Sequence, residues 1–253
     1  MTTSVIPGSL VTTKDEEGIA VEAATRIGNV LRDAIKQRGT VSLALSGGNT
    51  PRPAYERLAK EPGVDWTKVS VFWIDERAVP PTHARSNYRL AQESLLDRAK
   101  IPVENVHRMI GEAPDLAKAA RDYDAVLRKY VQPASGREAA GVPSFDVAVM
   151  GIGQDGHTAS LFPGDTAVDV RDRLVLAIAA APGKEREARL TVAVPVIEEI
   201  GTIFVLVAGD SKRAPLERLW SVAGSTEETP SRILRTTNAN LVWILDKAAA
   251  GVT

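Results

Sequence analysis

Six short, almost unbroken apolar runs set the strongest limit on the fold: VSLAL (41–45), VSVFWI (69–74), FDVAVM (145–150), RLVLAIAA (173–180), TIFVLV (202–207) and LVWIL (241–245). Each has strand length and lacks the alternation of a sheet with one wet face, so each reads as a strand buried on both faces. Between most of them lie stretches of helical period, at 52–60, 86–100, 114–131 and 211–221, with Asp210 placed to cap the last. A longer helix precedes the first run. Thr13-Lys14-Asp15-Glu16 has capping-box spacing, Ile19, Ala23, Ile27, Val30, Leu31 and Ala34 share a face, and Gly39 closes it. Buried strands alternating with amphipathic helices predict an α/β fold: an open, mainly parallel sheet with helices on both faces. The Pro/Gly/Ser-rich stretch 132–144 is short and reads as a surface connection, so residues 1–253 are expected to form one domain.

In such a sheet, ligands bind beyond the carboxyl ends of the strands. Those ends carry SGGNTP (46–51), DER (75–77), GIGQDGH (151–157) and AGDSK (208–212). Residues 151–156 spell G-x-G-x-x-G, the outline of a dinucleotide fingerprint. That motif needs a helix opening at its last glycine and an acidic residue closing the next strand. Here Pro163-Gly164 follows within eight residues, and the next strand runs out in Ala179-Ala180-Ala181-Pro182-Gly183, so neither support is present. The glycines can instead let backbone N–H groups approach an anion or a reacting carbonyl. Ser46, Gly47, Gly48 and Thr50, at a turn leading into a helix, offer a similar cradle for a phosphate. Taken alone, either loop is equally compatible with a tight turn that binds nothing.

His157 is the residue whose setting looks catalytic, because it lies in a glycine-flanked loop at a strand end, two residues after Asp155. An imidazole can take a proton from water, and a neighbouring carboxylate can fix its tautomer. His83 and His107 have no such setting and read as structural. The three histidines are far apart and form no H-E-x-x-H, so no metal site is expected. No G-x-S-x-G elbow and no Walker loop occur. Arg77 and Lys212 would point toward the same crevice in a parallel sheet and suit a phosphate or an oxyanion, which suggests a small anionic substrate.

Composition removes other classes. With 31 basic and 32 acidic residues spread along the chain, a nucleic-acid partner is not expected. There is no cysteine, hence no disulfide and no thiolate chemistry. The N-terminus shows no signal-peptide pattern and no run approaches a membrane span, so a cytoplasmic, unanchored protein is expected.

LALSGGNTP, IDERAVPPTHARSNYRLAQESLL, FDVAVMGIGQDGHTASLFPG, ARLTVAVPVI and LVAGDSKRAPL, in this order, closely resemble the 6-phosphogluconolactonase family from about residue 40 to the C-terminal WILDKAAA. The resemblance implies a Rossmann-like fold shared with glucosamine-6-phosphate deaminase and ribose-5-phosphate isomerase. It also implies cofactor-free hydrolysis of 6-phospho-D-glucono-1,5-lactone in the pentose phosphate pathway, and a monomer is expected. On the matching positions it makes His157 the general base with Asp155 beside it, and Arg77 the group facing developing charge or phosphate. Ser46, Gly47, Gly48, Thr50 and Lys212 would bind phosphate and sugar, with Asn87 and Arg189 as further candidates. Asp75 would orient Arg77 or a substrate hydroxyl. Two rivals remain. A deaminase-isomerase of the same fold resembles G-H-I-A-F-N-E-P at this loop, with a proton-transferring glutamate where this chain has Phe162. A non-catalytic sugar-phosphate sensor would need a DNA-binding segment, for which the N-terminal dozen residues are too few. The loop 182–188, with Lys184, Glu185, Arg186 and Glu187, is placed where it could close over the site.

Overall fold

The computed structural model describes residues 5–138, 141–180 and 187–252. Strand β1 (Ser9–Thr13) leads into helix α1 (Glu16–Arg38), and β2 (Val41–Leu45) into α2 (Pro51–Leu58). Strand β3 (Val69–Trp73) passes through Ile74 into β4 (Asp75–Arg77). The helical stretch that follows has three joined pieces: α3 (Asn87–Ala91), a π-helical turn over Gln92–Leu96, and α4 (Asp97–Ala99). Helix α5 (Leu116–Tyr130), β5 (Val147–Met150), β6 (Val175–Ile178), β7 (Arg189–Val192) and α6 (Val194–Glu198) come next. The chain then runs through β8 (Thr202–Val207), α7 (Arg213–Trp220), β9 (Asn240–Asp246) and α8 (Lys247–Ala250).

Six strands form one parallel sheet in the order β1-β9-β8-β5-β2-β3. From β2 the chain builds outward to β3, whereas β5, β8 and β9 extend the other way. The order therefore reverses between β2 and β5, and the loops leaving those two strands open side by side at the switch point, where such sheets form their crevice. The apolar runs account for the burial: β2 and β5 are buried throughout, and Trp73, Phe72, Phe145, Phe204 and Trp243 fill the core. Helix α1 lies across β8 and β9 and packs on α2.

The run 173–180 belongs elsewhere than expected. Its strand, β6, pairs antiparallel with β7, which pairs antiparallel with β4, making a second, three-stranded sheet. The connection from Ile178 to Arg189 is too short for the crossover that a parallel pair requires, so the chain turns back on itself. The DER triplet, expected to end a strand, is itself β4. Strand β1 escapes an apolar-run reading because it is a half-exposed edge strand.

Two caps also differ from expectation. Thr13 ends β1, and Asp15 caps α1 by accepting from the Gly18 N–H at 3.0 Å. Gly39, at φ 81°, closes that helix as expected. Asp210 does not cap α7; it opens a 3-10 turn and pairs with Arg213 at 3.3 Å.

Candidate active site

The loop after β2 is tied down by Tyr55, whose hydroxyl donates to the Ser46 carbonyl at 2.8 Å and accepts from the Ser46 N–H at 3.2 Å. Complete burial pushes that phenol far up, so it remains a neutral donor. Gly48 takes φ 107°, which an L side chain rarely adopts, and Thr50 opens α2 ahead of Pro51 without making a side-chain cap. Gly47 lies directly against the side-chain amide of Asn87, where any Cβ would overlap Asn87 Oδ1. The glycine is required there by close approach.

Asn87 joins this loop to β4. Its Nδ2 donates to the Asp75 carbonyl at 2.9 Å and to Asp75 Oδ1 at 3.0 Å. The other carboxylate oxygen, Oδ2, accepts from Ser160 Oγ at 2.5 Å and lies 3.6 Å from Arg189 Nη1. Asp75 is 5% exposed, and its contacts are with Asn87, Ser160 and Arg189. In the β4–β7 register Asp75 pairs with Thr191 and Arg77 with Arg189, so all four side chains share one face, with Glu76 turned to the other. Arg77 is held by its Nη1, which donates to the Arg85 carbonyl at 2.5 Å.

The glycine loop after β5 is closed by its own backbone: Gly156 N–H donates to the Gly153 carbonyl at 3.0 Å, and Gly153 N–H to the His157 carbonyl at 2.7 Å. No helix opens at Gly156; the next helical turn is a short 3-10 segment over Thr166–Asp169. Dinucleotide geometry is therefore missing here. What the turn does is fold Asp155 back onto His157, with Asp155 Oδ1 2.6 Å from the imidazole Nδ1 and 3.1 Å from the His157 N–H. Burial works against ionisation of Asp155. The hydrogen bond and charge of His157 outweigh it and bring that carboxyl down to about 2. An ionised acceptor at Nδ1 assigns the ring proton there and leaves Nε2 as the atom able to take another. The ring packs on Phe162 with centroids 4.7 Å apart, and the Arg189 guanidinium carbon lies 5.5 Å from the same phenyl centroid. Lys212 reaches this loop from the start of α7, donating from Nζ to the Ile152 carbonyl at 2.7 Å. Burial lowers its pKa, and the Asp155 charge offsets part of that fall.

Asn87, Asp75, Arg189, Phe162, His157 and Asp155 thus form a continuous chain of contacts that begins at Gly47, with Arg77 beside Arg189 and Lys212 beside the glycine loop. Ser46 and Thr50 border it on the β2 side. Sequence reasoning gave no role to Ser160, Glu76 or Tyr55. Ser160 lies inside the quoted DGHTASLFPG motif, yet its partner Asp75 is 85 residues away. His107 packs between Phe72 and Tyr130 and His83 Nδ1 accepts from the Arg85 N–H, in keeping with structural roles. Of the loop 182–188, residues 182–186 lie outside the described residues; Glu187 pairs with Arg85 at 2.6 Å.

A parallel α/β sheet with a carboxylate–imidazole pair and cationic side chains gathered at its switch point defines an α/β enzyme acting at the carboxyl edge of its strands. Residues 14–243 match the family model described as glucosamine-6-phosphate isomerases/6-phosphogluconolactonase. A 6-phosphogluconolactonase of Synechocystis is 39% identical over 216 residues, covering 85% of this chain and 86% of that protein. The solved 6-phosphogluconolactonase of Trypanosoma brucei superposes with a TM-score of 0.85 at 26% identity, covering 98% of this chain and 99% of the other. A monomeric glucosamine-6-phosphate deaminase shares the fold, with a TM-score of 0.77 at 20% identity over 97% of this chain and all of that one. The chain belongs to the glucosamine-6-phosphate isomerase/6-phosphogluconolactonase family.

Proposed function

We propose that this protein hydrolyses 6-phospho-D-glucono-1,5-lactone to 6-phosphogluconate, the lactonase step of the pentose phosphate pathway, with His157 as general base. The observation that carries the reading is the Asp155–His157 pair, 2.6 Å apart in a glycine turn at the switch point of the sheet. The named relatives support the substrate. In this reading His157 Nε2 takes a proton from water as the water attacks the lactone C1. Asp155 holds the tautomer and stabilises the imidazolium. Arg77, or loop N–H groups other than those of Gly153, Gly156 and His157 that are bonded within the turn, faces the tetrahedral oxyanion, and the imidazolium then protonates the departing ring oxygen. Ser46, Gly47, Gly48, Thr50, Arg189 and Lys212 hold the phosphate and sugar, with Asn87 and Asp75 beside them. A lactone is already activated, so a general base worth roughly 10²–10⁴ in rate, joined by oxyanion stabilisation, is sufficient.

Phe162 argues against deaminase-isomerase chemistry, because its apolar ring packs on His157 and cannot relay a proton. A monomeric state is part of the same reading; sedimentation would reveal a different one. The two sheets contribute to one contiguous apolar core, which supports a single domain. Among the described residues no helix is long and apolar enough to cross a membrane, and a cytoplasmic setting suits a chain without cysteine. The functional test is substrate choice. Proton release from the freshly generated lactone should far exceed the buffer rate, while glucosamine 6-phosphate should yield no ammonia. Ammonia release without lactone turnover would overturn the reading.

A further inference from the structure

Glu76 lies between two residues of the candidate site, yet its side chain faces away from them. It is 2% exposed, and each carboxylate oxygen accepts two hydrogen bonds. Oε1 accepts from the N–H groups of Arg77 at 2.7 Å and Asn87 at 2.8 Å. Oε2 accepts from Ser86 Oγ at 2.9 Å and the Tyr88 N–H at 2.8 Å. The Asn87 and Tyr88 N–H groups belong to the first turn of α3, which has no intrahelical acceptors for them, and a carboxylate there is further favoured by the peptide dipoles. Burial raises the carboxyl's pKa, and the donors, Tyr88 foremost, offset part of that rise.

Glu76 and Asp75 together tie β4 to the start of α3. Asn87 is gripped twice by neighbouring residues of one three-residue strand: its backbone by Glu76 and its side chain by Asp75. The same Glu76 oxygen that holds the Asn87 N–H holds the Arg77 N–H. Gly111 closes the back of this clamp, where a Cβ would come 3.2 Å from Glu76 Cγ and overlap the Arg77 carbonyl. A buried carboxylate costs several kcal/mol unless its oxygens are satisfied, so an apolar side chain would fill this space more cheaply but could not join the two elements.

The geometry points to Glu76 as a positioning residue, one that fixes Asn87 and the Arg77 backbone relative to each other and so sets substrate binding without touching substrate. This rests on the lactonase reading for its kinetics but not for its structural readout. Glu76→Gln keeps one acceptor oxygen and turns an NH₂ toward two donors, so half of the clamp is lost. In that variant KM for the lactone should rise about tenfold or more, in line with the cost of small misplacements. Its kcat should fall by less than about tenfold, because the His157–Asp155 pair stands on a separate loop and Arg77, though its backbone is loosened, keeps its side-chain bond to the Arg85 carbonyl. A merely structural role would lower the folded fraction, reducing apparent kcat at unchanged KM.

A crystal structure of Glu76→Gln gives the second readout: Asn87 Nδ2 displaced from Asp75 supports the proposal, and superposition of Asn87 and Arg77 on the wild type overturns it. If wild type shows no lactone turnover, the functional reading fails while the crystal comparison still decides the positioning role. Should Glu76→Gln not fold, Glu76→Asp keeps the carboxylate but withdraws it by one methylene, leaving the Ser86 cap on the Arg89 N–H in place; a KM rise in the same direction supports the proposal, and an unchanged KM overturns it.

Discussion

Gly153→Ala should abolish most activity while leaving the protein folded. The glycine does not occupy the left-handed backbone region, so alanine is compatible with its φ. The added methyl would nevertheless lie 2.6 Å from Asp155 Oδ1 and closer still to the His157 imidazole. Carbon contacts are favourable at about 3.5–4.0 Å, so the pair must retreat by roughly 1 Å or more. A displacement of that size at a reacting group costs about 10² in rate, and complete loss of the base about 10²–10⁴. The expected fall in kcat is therefore about 10²–10⁴, or roughly 2.7–5.4 kcal/mol of barrier. The stability change is much smaller: a lost hydrogen bond of about 1–3 kcal/mol, offset by about 0.4–1 kcal/mol from a stiffer unfolded chain. Lactone turnover and urea unfolding on the same preparation separate the two. In a His157→Ala background the same substitution should cost less than about threefold more, because the group it displaces is already gone. A variant with kcat within threefold of wild type, or losses that multiply in the double mutant, would show that the methyl does not displace the pair.

Two further outcomes are expected, one from the same pair and one from a buried bridge in the core. Asp155 is brought to about 2 in the fold, below its ordinary value near 3.9. A depressed carboxyl contributes stability in full above its unfolded value and loses it as pH falls through the folded one. The stability gap between wild type and Asp155→Asn should therefore be in place at about pH 4 and close toward pH 2, read by urea unfolding at several pH values; a gap that widens between pH 4 and pH 2 contradicts the assignment. Tyr123→Phe removes the hydroxyl that accepts from the Trp73 N–H at 2.9 Å and donates to the His107 carbonyl at 3.1 Å. It should cost about 1–3 kcal/mol of stability with little effect on KM, and an unchanged denaturation midpoint would count against that buried bridge.

Strands β2, β3, β5, β8 and β9 were legible because burial on both faces leaves an unbroken apolar run, a purely local signal. The run that became β6 has the same local signal, but orientation depends on what the chain can reach next, which an apolar run does not encode. Strand β4 was hidden because its three charged residues serve the site, and β1 because an edge needs little apolar surface. In the site, Asp155 and His157 could be paired from the sequence since they lie two residues apart in a glycine turn. The partnership of Asp75 with Ser160 could not, since it exists only once β5 has been laid beside β2 and the small sheet folded over. Glu76 was invisible for a related reason: its donors are mostly backbone N–H groups, which every sequence supplies.

His157 as a general base on a phosphorylated lactone is the step on which the proposed function stands. Hydrolysis of fresh 6-phosphogluconolactone by wild type and by His157→Ala, each against the uncatalysed rate at the same pH, addresses it directly, with 6-phosphogluconate binding measured in parallel. Wild-type turnover should be fast and the variant slower by at least about 10², with product binding retained. A variant that hydrolyses the lactone as fast as wild type would contradict the general-base role.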